Sequence, residues 1–276
     1  MSTAIPAPMP SPTPPPAPVR MPALFLGHGN PMNAIEDNVY SRAWRSVAAS
    51  LPRPRSILCV SAHWYLPGSR VTAGGHPRTI HDFGGFPRPL YEVRYSAPGS
   101  DGLAARVRQL LAPAPAVPDG TWGLDHGAWS LLVHLFPEAD VPVVQLSIDE
   151  TRTGPEHLEI ARRLRPLRDE GVLILGSGNA VHNLHSYAWG SPRRDAYPWA
   201  ARFEAWLRER IEARDFTTIA AYETTGGEDA DLAAPTPEHF LPLLYVLAQA
   251  GAGEAIGFPV EGFDGGSVSM LGVRVG

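Results

Sequence analysis

The sequence predicts an α/β protein, a single domain of three layers (αβα) around a mostly parallel central sheet. Three observations carry that expectation. Short, wholly apolar runs alternate along the chain with amphipathic stretches of helical length. From residue 22 onward no linker or internal repeat divides them. The 276 residues, 44% hydrophobic and 18% charged, are enough chain of ordinary enzyme composition for one large core.

Taken in order, PALFLG (22–27) reads as a first strand ending at glycine, followed by a helix around Tyr40–Leu51. The run ILCVSA places a second strand over Ser56–Ala62, and SRVTAGG (69–75) a third. The stretch 76–100 is rich in Gly, Pro and aromatic residues, the composition of a long ordered loop that covers or lines a binding site. Helices are expected over Asp101–Leu111 and Gly127–Phe136, the latter stopped by Pro137, and a buried strand over 141–149. Pro155–Arg168 reads as a helix opened by proline, whose missing N–H costs nothing in a first turn. GVLILGSGN (171–179) is another buried strand running into a Gly-rich turn. Trp199–Arg214 gathers Phe203, Trp206, Leu207 and Ile211 on one helical face. TPEHFLPLLYVLAQAG reads as a helix capped by Thr236, although Pro242 moves its true start toward Leu241. SVSMLGVRV (267–275) closes the chain as an alternating strand.

Several function classes drop out. The first twenty residues hold eight prolines and no basic segment, so residues 1–21 are expected to be a flexible, extended tail outside the domain at 22–276. No apolar stretch is long enough for a membrane helix. The net charge of −5, without a basic stripe, argues against nucleic acid. One cysteine, Cys59, cannot form an internal disulfide; it fits a reducing cytoplasm and reads as a small packing residue. GxGxxG, GxxxxGK[ST] and GxSxG motifs are missing. Nothing in the sequence specifies an oligomeric state.

The informative residues are histidines at strand ends and helix starts. His28 sits between two glycines after the first strand, and His63 follows the second. His182 follows a Gly-rich turn, His239 stands at the entrance of a late helix, and His126 opens another. They form either one metal site or a set of separate structural residues. Imidazoles suit Zn, Fe, Ni or Cu, and the lack of cysteine clusters excludes a thiolate zinc site or an iron–sulfur cluster. An open position on such a metal serves hydrolysis through bound water, or O2 chemistry if the metal is redox-active. At a helix N-terminus His126 is favoured neutral, able to accept a proton, or is simply a helix cap. Of the others, His134 reads as structural, His157 as solvated on an amphipathic helix, and His81 as a loop residue that either borders the site or is structural.

The runs LFLGHGNPMNAI, ILCVSAHWY, HPRTIHDFGGFPRPLYEVRYSAPG, GLDHGAW, GSGNAVHNL and PEHFLPLLYVLAQAG resemble the 4,5-DOPA extradiol dioxygenase-like family, within the class III (LigB-type) extradiol ring-cleavage dioxygenases. The likeness runs from about residue 22 to the C-terminus. It implies a non-haem metal centre, with Fe(II) for activity and Zn(2+) in the purified resting form, acting on a catechol-type diol and O2. By motif, His28, His63 and His239 match the metal ligands. His182 matches a histidine beside the metal, a base or fourth ligand, and His126 one that assists proton transfer. A histidine at 239 departs from the usual two-histidine, one-carboxylate set, and Glu238 beside it would restore the carboxylate. The rival functions are a zinc-dependent hydrolase on the same histidines and a non-catalytic metal- or ligand-binding relative.

Overall fold

The computed structural model describes residues 20–190 and 195–276. The proline-rich tail therefore lies outside the described residues, except that Arg20 is present and Met21 is buried, its N–H bonded to the Arg168 carbonyl at 2.9 Å.

Among the described residues ten strands are formed: β1 (Ala23–Gly27), β2 (Ser56–Leu66), β3 (Arg70–Thr72), β4 (Val117–Asp119), β5 (Val143–Asp149), β6 (Val172–Gly178), β7 (Ile256–Val260), β8 (Phe263–Asp264), β9 (Val268–Ser269) and β10 (Gly272–Val275). Eight build one sheet in the order β4-β3-β5-β2-β6-β1-β10-β7, and β8 pairs with β9. The centre, β5-β2-β6-β1, is parallel. Antiparallel pairing enters where β10 joins β1 and β7, and where β3 meets β5.

Parallel central strands are covered on both faces, which is why they read as predominantly apolar runs. Along β1, Ala23 and Phe25 enter one core while Leu24 and Leu26 enter the other. The first core is closed by the helices Asp101–Leu110, Gly154–Arg163, Pro198–Glu212 and Leu241–Leu247. The second is closed by Val39–Ala49 and His126–Leu135. Three layers result, as expected, and Cys59 is a buried packing residue.

The structure departs from the sequence reading at a few points. The helix expected over Pro155–Arg168 ends at Arg163, and a separate turn, Pro166–Asp169, follows; Pro166 has no N–H to continue the ladder. The last strand breaks at Met270 and Leu271 into β9 and β10. The late helix does start at Leu241, as Pro242 implies. β4 and β7 were not expected; each lies at a sheet edge and carries a proline, Pro118 or Pro259. β2 runs on to Leu66, so His63 belongs to the strand. His157 is fully buried rather than solvated, because it shares the inward helical face with Leu158 and Ala161. Its Nδ1 lies 3.0 Å from the Tyr245 hydroxyl and its Nε2 3.1 Å from the Asp149 carbonyl. Among the described residues, no helix is long and apolar enough to cross a membrane.

Candidate metal centre

β2, β6 and β1 are neighbours and parallel, so their C-terminal ends share one edge, with Gly27 level with Gly178 and Ser61 level with Ser177. That edge is the usual crevice of an open α/β sheet. His28 is the first residue beyond β1, its N–H donating to the Gly178 carbonyl at 3.1 Å. His63 falls where the β2–β5 register slips between Val60 and Tyr65, an irregularity of the kind that re-aims a side chain. His239 is set by the end of β6, its carbonyl accepting from the Asn179 N–H at 2.9 Å. Two glycines permit this packing. A Cβ at Gly178 would lie 2.2 Å from the His239 oxygen, and one at Gly127 would lie 2.8 Å from Cδ2 of His63.

These elements bring one nitrogen each of His28, His63 and His239 within 4.8 Å of one another. The three ring centroids are 5.0–5.4 Å apart. Each ring has an acceptor at Nδ1. Ser177 Oγ lies 3.0 Å from His28 Nδ1 and spends its own proton on the Gly127 carbonyl, so it accepts from the imidazole. Asp82 Oδ2 lies 3.3 Å from His63 Nδ1, and Glu238 Oε1 3.1 Å from His239 Nδ1. With the Nδ1 protons committed outward, each Nε2 keeps a bare lone pair. The Nε2 atoms of His28 and His63 are only 3.1 Å apart. Two lone pairs at that distance repel unless a cation lies against both, so these residues fit a nitrogen-ligated divalent metal.

Electrostatics favour the same state. Burial, and then the mutual repulsion of the imidazoles, pushes His28 and His239 well below the ordinary histidine range. Burial and the nearby His126 push His63 to about 3, against the pull of Asp82. Burial brings His182 to about 4, opposed by Glu238. All four rings are neutral at pH 7 and free to ligate. Burial alone would raise the Asp82 carboxyl, but the hydrogen bond and charge of His126, with help from His63, hold it at about 2. Asp125 caps the helix His126–Leu135 by accepting from the Ala128 N–H. Burial, then Asp82, raises its carboxyl, against hydrogen bonds from Ser61 and Gln145.

His182 and His126 flank the trio. The His182 ring stacks on His239 at 3.5 Å with a 7° interplanar angle, and the His126 ring lies 3.9 Å from His63. All five expected histidines therefore converge, and all five line one cavity of about 220 Å³. Its remaining wall is largely apolar, with Phe83, Phe86, Leu184 and Val268. Glu238 is taken up by His239 and the Thr236 hydroxyl and does not line the cavity. A larger cleft of about 620 Å³ lies along Pro67–Arg70 and the helix Gly154–Arg163. It holds none of these histidines, and its Arg152 pairs with Glu156 at 2.9 Å.

The loop 76–100 lines the cavity, as its composition suggests, through Phe83 and Phe86. His81 turns away, Nε2 lying 3.1 Å from the Val93 carbonyl and the ring packing on Trp129. Its neighbour Asp82 is the loop's polar contact with the histidines. Ser177 and Asp82 were both missed in the sequence; the one signal for Asp82 was its place beside His81 in an aromatic loop.

Residues 22–263 match the family described as the catalytic LigB subunit of aromatic ring-opening dioxygenase. The chain is 48% identical over 262 residues to the 4,5-DOPA dioxygenase extradiol of Escherichia coli (strain K12), covering 93% of this chain and 95% of that protein. It is 40% identical to the protein of the same name from Beta vulgaris, covering 89% and 92%. A crystal structure of an Escherichia coli K12 protein, described as uncharacterized, superposes with a TM-score of 0.82 at 44% identity, covering 93% of this chain and all of that one.

Proposed function

The chain belongs to the LigB family of aromatic ring-opening dioxygenases, and from that premise we propose that His28, His63 and His239 hold its metal while His182 and His126 handle protons. The enzyme is a metal-dependent extradiol dioxygenase that inserts O2 into a catechol-type ring. The observation that carries the ligand assignment is the facing pair of Nε2 atoms, 3.1 Å apart, with both Nδ1 atoms against outer acceptors. Fe(II) is the active metal in this reading and Zn(2+) the resting occupant. A DOPA-like diol is the substrate class, by likeness to the named relatives.

Bound iron would supply Lewis acidity favouring the ionised diol and a redox centre for O2. The chain's own residues do the rest. Phe83 and Phe86, edge to face at 5.3 Å, present an aromatic wall that orients a flat ring and excludes water from the histidine edge. His182, neutral at working pH and lining the cavity, accepts a diol proton at a ring nitrogen. With Nδ1 against Asp82, His126 is left with Nε2 for the cavity, where it accepts or returns a second proton. Three neutral imidazoles leave the metal charge undiminished, which favours a doubly ionised diol over the singly ionised form.

The test is O2 uptake by Fe(II)-reconstituted protein with a panel of catechols, alongside the zinc form assayed anaerobically on esters and amides. Uptake coupled to the absorbance of a ring-opened semialdehyde is expected. Absence of uptake with every diol, together with hydrolysis by the zinc form, would overturn the reading.

A further inference from the structure

We infer that Asp82 is a positioning residue for the reaction, one carboxylate that sets both a metal-holding histidine and a proton-transfer histidine. The inference rests on the roles proposed above for His63 and His126.

Asp82 touches the site through both oxygens. Oδ1 accepts the His126 backbone N–H at 2.8 Å, while Oδ2 lies 3.0 Å from His126 Nδ1 and 3.3 Å from His63 Nδ1. The two rings sit 3.9 Å apart, tilted by 49°, so one oxygen serves both. The His126 Nδ1 is buried and its approach to Oδ2 is off-axis. A bare lone pair there would face a carboxylate at 3.0 Å, so Nδ1 carries the proton. The same argument protonates Nδ1 of His63. Each ring is thereby held in the tautomer that leaves Nε2 unprotonated, toward a metal from His63 and toward the diol from His126.

The carboxylate is itself held. Two residues earlier, the Ile80 N–H donates to the Leu124 carbonyl, and the Ile80 carbonyl accepts from Trp129 Nε1, both at 2.7 Å. These bonds tie the loop to the helix His126–Leu135 and to the residues just before it. Asp82 is thus built into the same rigid unit as His126, although 44 residues separate them in sequence. A shared acceptor has a consequence that two separate ones would not have: its loss weakens metal holding and proton transfer together.

The experiment compares wild type with Asp82→Asn and Asp82→Glu. Zinc affinity is measured by competition with a chromophoric chelator, which needs no turnover, and kcat and KM are measured on Fe(II)-saturated protein. Asp82→Asn is expected to lose about 10- to 100-fold in zinc affinity and about 100-fold or more in kcat, with KM changed less than about threefold. Asp82→Glu, which keeps the charge, is expected to recover part of both, and it carries the test should Asp82→Asn fail to fold. Both readouts within about threefold of wild type, or the loss of one without the other, would overturn the inference. Wild-type protein that takes up no zinc would sink the metal reading itself, a result separate from unchanged uptake in the variants.

Discussion

Replacing Gly178 with alanine puts a methyl group 2.2 Å from the carbonyl oxygen of His239 and 3.1 Å from its carbonyl carbon. Ordinary contact begins at 3.4 Å, so the His239 backbone must retreat by about 1.2 Å, because the β6 end is locked between β1 and β2. The retreat strains the 2.9 Å bond between the Asn179 N–H and that carbonyl, and it carries the His239 ring away from His28 and His63. Overpacking of this kind costs about 1–3 kcal/mol of stability. A ligand displaced by about 1 Å costs about 100-fold in turnover. The assay is threefold: thermal unfolding, zinc titration, and kcat/KM for O2 uptake with a catechol. Gly102→Ala is the control, since its added carbon meets only Ser100 Oγ, at 4.0 Å, and it is expected to behave as wild type. Wild-type zinc affinity and turnover in Gly178→Ala would refute the claim that β6 positions the third ligand.

Other consequences are as direct. At a free-metal level about a thousandfold above Kd, binding contributes about 4 kcal/mol, so a strong chelator should lower Tm by roughly 10 °C in calorimetry, and restored metal should reverse it. Phe86→Ala removes part of the aromatic wall and should raise KM for a catechol about tenfold with kcat little changed; an unchanged KM would remove Phe86 from the binding surface. His157→Leu leaves the Tyr245 hydroxyl and the Asp149 carbonyl without their imidazole and should cost about 2–3 kcal/mol in denaturant melts while sparing metal uptake. The buried Arg168 guanidinium, through its hydrogen bonds, holds the Glu254 carboxyl at about 2, against the opposing pull of burial. A depressed folded-state value means this stability is complete above the ordinary glutamate range and drains away as pH falls through it toward 2. Glu254→Gln strands Arg168, should cost about 3 kcal/mol at neutral pH, and should flatten the acid limb; an unaltered acid limb would show that the pair contributes nothing.

The legible parts of the fold were those with an unambiguous environment. β1 and β6 are buried on both faces and so appear as largely apolar runs, and β5 still shows Val143, Val144, Leu146 and Ile148 around buried Gln145 and Ser147. β4 and β7 escaped notice because edge strands carry proline and exposed residues and resemble loops. The five histidines stood out because imidazoles next to strand ends have few bland explanations together, and the family likeness placed each by motif. Asp82 could not be read that way. A single acidic residue in a long loop looks solvated until the chain folds and brings it to His126. His157 was misread for a related reason: its polarity suggested the outer face of its helix, but its partners, Tyr245 and Asp149, come from other elements. Local pattern reports periodicity and burial tendency; it does not report which distant polar atom will meet a given side chain.

The order of the sheet also bears on how the centre is assembled in time. β1 precedes the other described strands in the chain, yet it pairs with β6 and with β10, which follows all of them. His28 and His63 therefore emerge long before His239, and the trio cannot close until the chain has been made through residue 239. On the proposed ligand assignment, metal loading therefore waits until residue 239 has been made and β6 has paired with β1. A chain ending short of residue 239 would hold only two of the three proposed ligands, so discrimination among cations awaits the third.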